Sequence, residues 1–186
     1  IKPGAQYIEA NGRYLYVPDG VKCEGYSIMV PIRTLCQALG AGVEWDGTQS
    51  TIQITSGSGP ILSGEQAYQA DVVYWLSRII YAESGNQPLD GKIAVGNVVL
   101  NRVASPYYPD TIREVIYQPG QYSPTWDGSI NKKPDARTIA NAKYLLEHGS
   151  MCPETVIGQN SIVTGSGIYK SYYDSVLGTT IYFCYM

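Results

Sequence analysis

The stretch Val72-Val73-Tyr74-Trp75-Leu76-Ser77-Arg78-Ile79-Ile80-Tyr81-Ala82-Glu83, followed after a polar break by Ile93-Ala94-Val95-Gly96-Asn97-Val98-Val99-Leu100-Asn101-Arg102-Val103, decides how this chain is built. In the first segment Val72, Leu76, Ile79 and Glu83 step by four, three and four residues. That places them within about 60° of one another on a helix turning ~100° per residue. Trp75 and Ile80 widen the stripe. The second segment is apolar nearly all round, as a central buried helix must be. One residue breaks the pattern, because Glu83 continues an apolar stripe with a carboxylate. Burying it ionised is expensive, so it needs a partner or a raised pKa. An acid that keeps its proton near neutral pH is what general acid catalysis requires. The alternative is that the helix frays at Ser84-Gly85 and leaves Glu83 facing solvent.

Further helices follow the same logic. Thr111-Ile112-Arg113-Glu114 has capping-box form and opens a short helix toward Tyr117. A longer helix runs from about Pro134 to His148, with Ile139, Ala142, Leu145 and Leu146 inward and Gly149 as its stop. Ser161-Ile162-Val163 and Thr180-Ile181-Tyr182-Phe183 read as strands. Upstream, Ser56-Gly57-Ser58-Gly59-Pro60 is small and flexible and marks a boundary. Before it, Asn11-Gly12 is a hairpin signal within Gln6 to Val17, since both turn positions need positive φ. Ser27 to Val30 reads as a strand. Pro31 takes a first helical position, Ile32, Leu35, Cys36 and Leu39 recur at helical spacing, and Gly40 stops the helix. Val43-Glu44-Trp45 and Ile52-Gln53-Ile54 form a second hairpin around Asp46-Gly47-Thr48-Gln49. The fold class is therefore α+β: a small β-rich N-terminal domain with one helix over residues 1–55, a linker over 56–66, and a mainly helical domain with a short β element over 67–186.

Composition removes several chemistries. The 186 residues carry 13 Lys+Arg against 16 Asp+Glu, a formal charge of -3, so no basic field draws in nucleic acid. Ile93 to Leu100, interrupted by Gly96 and Asn97, falls far short of the ~20 apolar residues that cross a bilayer, and no membrane insertion is expected. Any leader peptide would lie upstream of Ile1. With a single His, no multi-histidine zinc site can be assembled, and any Ser-His-Asp or Cys-His scheme would have to use His148. Gly149 ends the helix between His148 and Cys152, and Cys152-Pro153 opens no helix that would lower a thiol pKa, which disfavours a cysteine peptidase. The four cysteines, Cys23, Cys36, Cys152 and Cys184, contain no CxxC. They fit either two disulfides within the halves, Cys23 to Cys36 and Cys152 to Cys184, or four small unpaired side chains.

Around Glu83 the sequence supplies amides and hydroxyls in Asn86, Gln87, Ser123, Thr125 and Asn131. It supplies flat aromatic faces in Tyr81, Tyr107, Tyr108, Tyr117, Tyr122 and Trp126. Of the 17 tyrosines only Tyr7, Tyr14, Tyr16 and Tyr26 precede the boundary. A concave site lined this way suits a sugar polymer, whose rings present C–H faces and hydroxyls. Gln121, Tyr122, Ser123, Thr125, Trp126, Asp127 and Asn131 are the expected substrate contacts. Glycosidases commonly pair two carboxylates. The candidates for a second, Asp90, Asp110, Glu114 and Asp127, all have structural explanations as caps or turn residues. A single-acid mechanism is the economical reading.

At these residues the sequence resembles a known family. Tyr81-Ala82-Glu83-Ser84-Gly85-Asn86-Gln87-Pro88, then Asp90-Gly91-Lys92 and Ile93 through Val103, look like the core motif of the cell wall hydrolases related to spore cortex-lytic enzymes. The likeness continues through Ser105-Pro106, Tyr108-Pro109-Asp110-Thr111-Ile112, Val115 to Ser123 and Asp127-Gly128, covering residues 70 to 148. It implies a peptidoglycan hydrolase with a lysozyme-like, mainly helical catalytic domain acting between N-acetylmuramic acid and N-acetylglucosamine, with the catalytic glutamate at Glu83. For a lytic transglycosylase it implies one acid that protonates the glycosidic oxygen and then, as a base, helps the muramic C6 hydroxyl attack C1, giving a 1,6-anhydro sugar. No cofactor and no metal are implied, the partner is the peptidoglycan glycan strand, and the location is secreted, at the cell wall or spore. Family members often carry Arg-Gly-Glu where this chain has Gly85-Asn86-Gln87, so a charge pair near the acid is missing. The rival readings are a hydrolytic muramidase and a non-catalytic glycan-binding wall protein.

The N-terminal part also has a likeness. Val30-Pro31-Ile32-Arg33, Leu35, Ala38-Leu39-Gly40-Ala41, Val43 to Asp46 and Thr51 to Ile54 look like the copper amine oxidase N-terminal-like domain, an accessory module of secreted bacterial wall proteins. No copper is implied, since no His occurs up to residue 62. The likeness implies a targeting or spacer role.

Overall fold

The 3.6-residue period of the quoted stretch is realised in a computed structural model that describes residues 1–57 and 59–186. Ser58, in the expected linker, lies outside the described residues. The chain divides into two compact units, Ile1–Tyr68 and Gln69–Met186.

In the first unit β1 (Tyr7–Ala10) and β2 (Arg13–Tyr16) pair antiparallel. The turn between them puts Asn11 at φ 50° and Gly12 at φ 76°, the left-handed geometry that the Asn-Gly pair predicts. The hairpin buries Ile8 and Leu15 with Val17 and Val21 in a small core. A second hairpin, β3 (Lys22–Glu24) with β4 (Ser27–Met29), turns at Gly25 with φ 60°. Only β4 was expected, because Lys22-Cys23-Glu24 has no apolar alternation. Helix α1 (Ile32–Ala38) begins one residue later than expected, with Pro31 as the capping residue. Strands β5 (Gly42–Asp46) and β6 (Thr51–Thr55) form the third hairpin. The segment leading to Tyr68 is tied back to the first: Asn11 Nδ2 donates to Ile61 O at 2.9 Å and Gly64 N donates to Asn11 O at 2.8 Å. There Ser63 caps a one-turn helix, α2 (Gly64–Ala67), in a capping box with Gln66.

The second unit is built on α3 (Ala70–Ser84) and α4 (Leu89–Ala104), which pack on each other and on α7 (Ala136–His148). Leu76, Ile79 and Ile80 of α3 are buried, as the stripe predicts. Helix α4 buries polar as well as apolar residues, and those with recorded bonds reach neighbouring elements. Lys92 Nζ donates to Thr138 Oγ1 at 2.8 Å, Asn97 Oδ1 accepts from Met151 N at 3.0 Å, and Asn101 Nδ2 donates to Val156 O at 3.0 Å. Thr111 caps α5 (Ile112–Ile116) through Glu114 N, and α6 (Pro124–Asp127) is followed by a 3-10 turn, Ser129–Asn131. Asp135 caps α7 by accepting from Thr138 N at 2.7 Å, so that helix starts two residues after Pro134. Its buried face runs through Thr138, Ala142 and Leu145, while Ile139 and Leu146 are only half-buried.

A three-stranded antiparallel sheet completes the unit in the order β7 (Val156–Asn160), β9 (Thr179–Tyr185), β8 (Gly167–Asp174). The expected strand at Ser161-Ile162-Val163 is not formed. Ile162 and Val163 are 68% and 51% exposed, and the pairing partner β9 is taken instead by Val156–Asn160, whose Val156 is buried. Gly167–Asp174, rich in Tyr, forms β8 because β9 offers it a second edge. All four cysteines are free thiols here, so neither Cys23–Cys36 nor Cys152–Cys184 is bridged.

Candidate active site

Glu83 lies in the last turn of α3, where Ser84 Oγ donates back to Ile80 O at 2.7 Å. It is half-buried, neither frayed into solvent nor wholly enclosed. Gln159 of β7 donates Nε2–H to Glu83 Oε2 at 2.8 Å. Burial pushes the Glu83 carboxyl up to about 7, helped by Asp127 and Asp174; Arg102 and the Gln159 amide pull the other way and lose.

Four elements therefore converge on this carboxyl. Arg102 comes from α4 and is 5% exposed, with its guanidinium carbon 5.2 Å from the centre of the Tyr108 ring and 5.1 Å from that of Tyr122. Its Nε donates to Ile157 O at 2.9 Å, which joins α4 to β7 beside Gln159. Asp174, at the end of β8, is 3% exposed and accepts from Asn86 Nδ2 at 3.1 Å and from Val176 N and Leu177 N at 2.8 and 3.0 Å. These bonds hold the Asp174 carboxyl below the usual range although burial opposes them. Asn86 and Gln87 thus tie the α3–α4 loop to the end of β8, Gln87 through Nε2 to Tyr173 O at 3.4 Å. Three polar atoms in this cluster, Arg102 Nη1, Tyr122 Oη and Gln159 Oε1, are buried without a hydrogen-bond partner among the described residues. Unpaired buried polar atoms cost stability and collect where function needs them.

The expected contact residues fall on one segment, but not all in the expected way. Tyr122 is 2% exposed and lies under the surface against Arg102, so it supports the site rather than presenting a ring to a ligand. Burial pushes its phenol up. Trp126 is 63% exposed, and Gln121, Ser123, Asp127 and Asn131 are also exposed. Thr125 is half-buried, its Oγ1 donating to Tyr122 O at 2.8 Å. Asp127 Oδ1 accepts from Ser129 N at 2.7 Å, a turn bond that holds its carboxyl below the usual range. Arg78 of α3 fastens the end of this segment, donating through Nη1 to Asn131 O and Lys132 O at 3.1 and 2.7 Å. Arg102, Gln159 and Asp174 were not singled out from sequence. Arg102 had a signal, a lone cation in an apolar helix. The other two reach the site only through sheet pairing.

Residues 86–164 match the family model described as Cell Wall Hydrolase. This part of the chain is similar to the cell wall hydrolase family. The match starts at Asn86, three residues beyond Glu83, and spans Arg102, Tyr122, Asp127 and Gln159. Residues 3–63 match the model described as Copper amine oxidase N-terminal domain. The spore cortex-lytic enzyme of Oceanobacillus iheyensis is 31% identical over 80 residues, 43% of this chain and 29% of that protein. That of Bacillus subtilis is 33% identical over 60 residues, 32% of this chain and 20% of its own length. The chain thus matches less than a third of either relative. The crystal structure of the catalytic domain of the Bacillus cereus SleB protein aligns with TM-score 0.47 and 24% identity, over 62% of this chain and 91% of that one.

Proposed function

We propose that residues 67–186 cleave the bond between N-acetylmuramic acid and N-acetylglucosamine in peptidoglycan as a lytic transglycosylase. Residues 1–55 are then an accessory module and 56–66 a linker, in a protein secreted to the cell wall or spore. The observation that carries this reading is Glu83, a half-buried carboxyl raised to about 7 at the meeting point of α3, α4, β7 and the segment 121–131. Such an acid is protonated at working pH and can still give up its proton. In the reaction the Glu83 proton goes to the glycosidic oxygen as the C1–O bond breaks. The muramic C6 hydroxyl then attacks C1 and returns its proton to the carboxylate, closing a 1,6-anhydro ring. The attacking oxygen is tethered to the same sugar, so no water needs activation. Exposed Trp126 with Gln121, Ser123, Thr125 and Asn131 lines the glycan path. The spore cortex-lytic names of the relatives support the substrate class. The scheme requires no metal or cofactor.

One observation favours a hydrolytic second reading: Asp127 is an ionised carboxylate close enough to raise Glu83, so a two-carboxylate arrangement is formally present. Mass spectrometry of muropeptides released from purified sacculi decides, since anhydro ends are one water lighter than hydrolytic ends. Asp127→Asn is expected to keep cleavage and anhydro products; abolished cleavage would transfer the assignment to the muramidase.

The pH profile follows from the same carboxyl. Because Glu83 must start protonated, cleavage should fall as pH rises through about 7. Removing the Asp127 charge takes away a raising influence, so in Asp127→Asn this limb should move to lower pH. A limb that stays put in that variant would disprove the electrostatic coupling.

A further inference from the structure

We propose that Gln159 is the positioning residue for Glu83 and that its amide reverses as the carboxyl changes charge, donating Nε2–H to the carboxylate and accepting through Oε1 from the protonated acid. The inference rests on Glu83 acting as acid and then base, a role that needs a partner for both states. The recorded geometry is the first of these: Nε2 donates to Glu83 Oε2 at 2.8 Å while Oε1 is buried with no hydrogen-bond partner among the described residues. A primary amide carries two donors and one acceptor oxygen on one rotor, so a half-turn exchanges them at the same distance.

Among the groups of the described residues that act on the Glu83 carboxyl, Gln159 is the amide already hydrogen-bonded to it. Arg102 from α4 only donates and favours the carboxylate. Asp127 from α6 and Asp174 from β8 are negative and favour the protonated acid. Tyr122, from the loop before α6, is buried against Arg102, and its hydroxyl has no hydrogen-bond partner among the described residues. A Lys or Arg in place of Gln159 would hold Glu83 ionised and resist the proton it must carry.

The strand that presents Gln159 is fixed for the purpose. Asn101 Nδ2 donates to Val156 O at 3.0 Å and Arg102 Nε donates to Ile157 O at 2.9 Å, so two successive carbonyls of β7 are clamped by α4. The pairing of β7 with β9 shifts register between Val156 and Gly158, just before Gln159. Irregularities of this kind re-aim the side chains that follow, and they recur beside active sites.

The test reads the contact without relying on catalysis. In wild-type protein labelled with 13C at glutamate and 15N at glutamine, the Glu83 carboxyl signal is assigned by its loss in Glu83→Gln and the Gln159 amide by its loss in Gln159→Leu. The Gln159 side-chain amide signals should move with the same midpoint as the Glu83 carboxyl. Amide signals that stay flat while Glu83 titrates overturn the proposal. In Gln159→Leu the lost donor should raise the Glu83 midpoint by about one pH unit, and in Gln159→Lys the midpoint should fall. Both variants should lose about 10-fold in kcat with KM unchanged. A residue that merely packs would leave the midpoint in place, and that result also overturns the proposal. Wild-type protein that releases nothing from sacculi at any pH sinks the catalytic reading instead, which the titration keeps distinct.

Discussion

Glu83→Gln should leave a folded protein that clears sacculi about 10^3-fold more slowly, the loss expected when a general acid becomes an isosteric amide. The replacement keeps the acceptor for Gln159 Nε2, now through an amide oxygen, so the cluster need not rearrange. Its stability should change in a way that only a pH-resolved measurement exposes. The folded Glu83 carboxyl sits at about 7, above its ordinary 4.5. Ionising it therefore favours the unfolded chain, and wild-type protein loses stability as pH rises from about 4.5 through about 7. Partial exposure limits the effect to about 2 kcal/mol. The variant has nothing to ionise there, so its Tm at pH 8 should exceed that of wild type and the gap should close near pH 4. Inactive protein with the raised Tm identifies a residue whose placement costs stability and serves chemistry. Full activity in Glu83→Gln would remove the acid from the mechanism, and equal Tm values at pH 8 would show that the carboxyl is not desolvated.

What sequence could convey here followed the range of the interaction. The helix pair α3 and α4 was legible because a 3.6-residue stripe is a local pattern, and Glu83 stood out because a carboxylate on such a stripe is a local contradiction. The Asn11-Gly12 turn was legible for the same reason, since two residues carry its whole conformational demand. The sheet was not. Val156-Ile157-Gly158-Gln159-Asn160 has weak strand propensity, and Ser161-Ile162-Val163 has more. Burial of Val156 and pairing with β9, more than 20 residues away, override that preference. Gln159 and Asp174 therefore had no signal of their own, and the hydrogen bonds that bring them to Glu83 and Asn86 span separations of 76 and 88 residues. Tyr122 shows a different limit. Composition marks an aromatic ring as suited to a sugar but cannot say which way it faces, and here the buried cation Arg102 claims it.

Gly96→Val should be the most damaging substitution to the fold, because Gly96 is where α4 meets α3 and α7. A Cβ at this position would fall inside van der Waals contact of Leu145 Cδ1 on α7 and 3.0 Å from Ile80 Cδ1 on α3. Glycine inside a helix costs ~1 kcal/mol relative to alanine. Gly96→Ala sets that gain against the displacement of two flexible methyl ends, and should lie within about 1 kcal/mol of wild type. Valine adds two further methyl groups with little rotamer freedom, and the overpacking should cost about 3 kcal/mol. The damage also reaches the site, since α3 carries Glu83 and α4 carries Arg102, and separating the helices weakens their coupling. Urea unfolding of a Trp45→Phe background, in which Trp75 and Trp126 of the second unit are the remaining tryptophans, should give a lower midpoint at an unchanged m for Gly96→Val. A midpoint equal to wild type would mean that α3 and α7 yield at this crossing without cost, and the close approach of three helices would then not be what holds Glu83 and Arg102 in place.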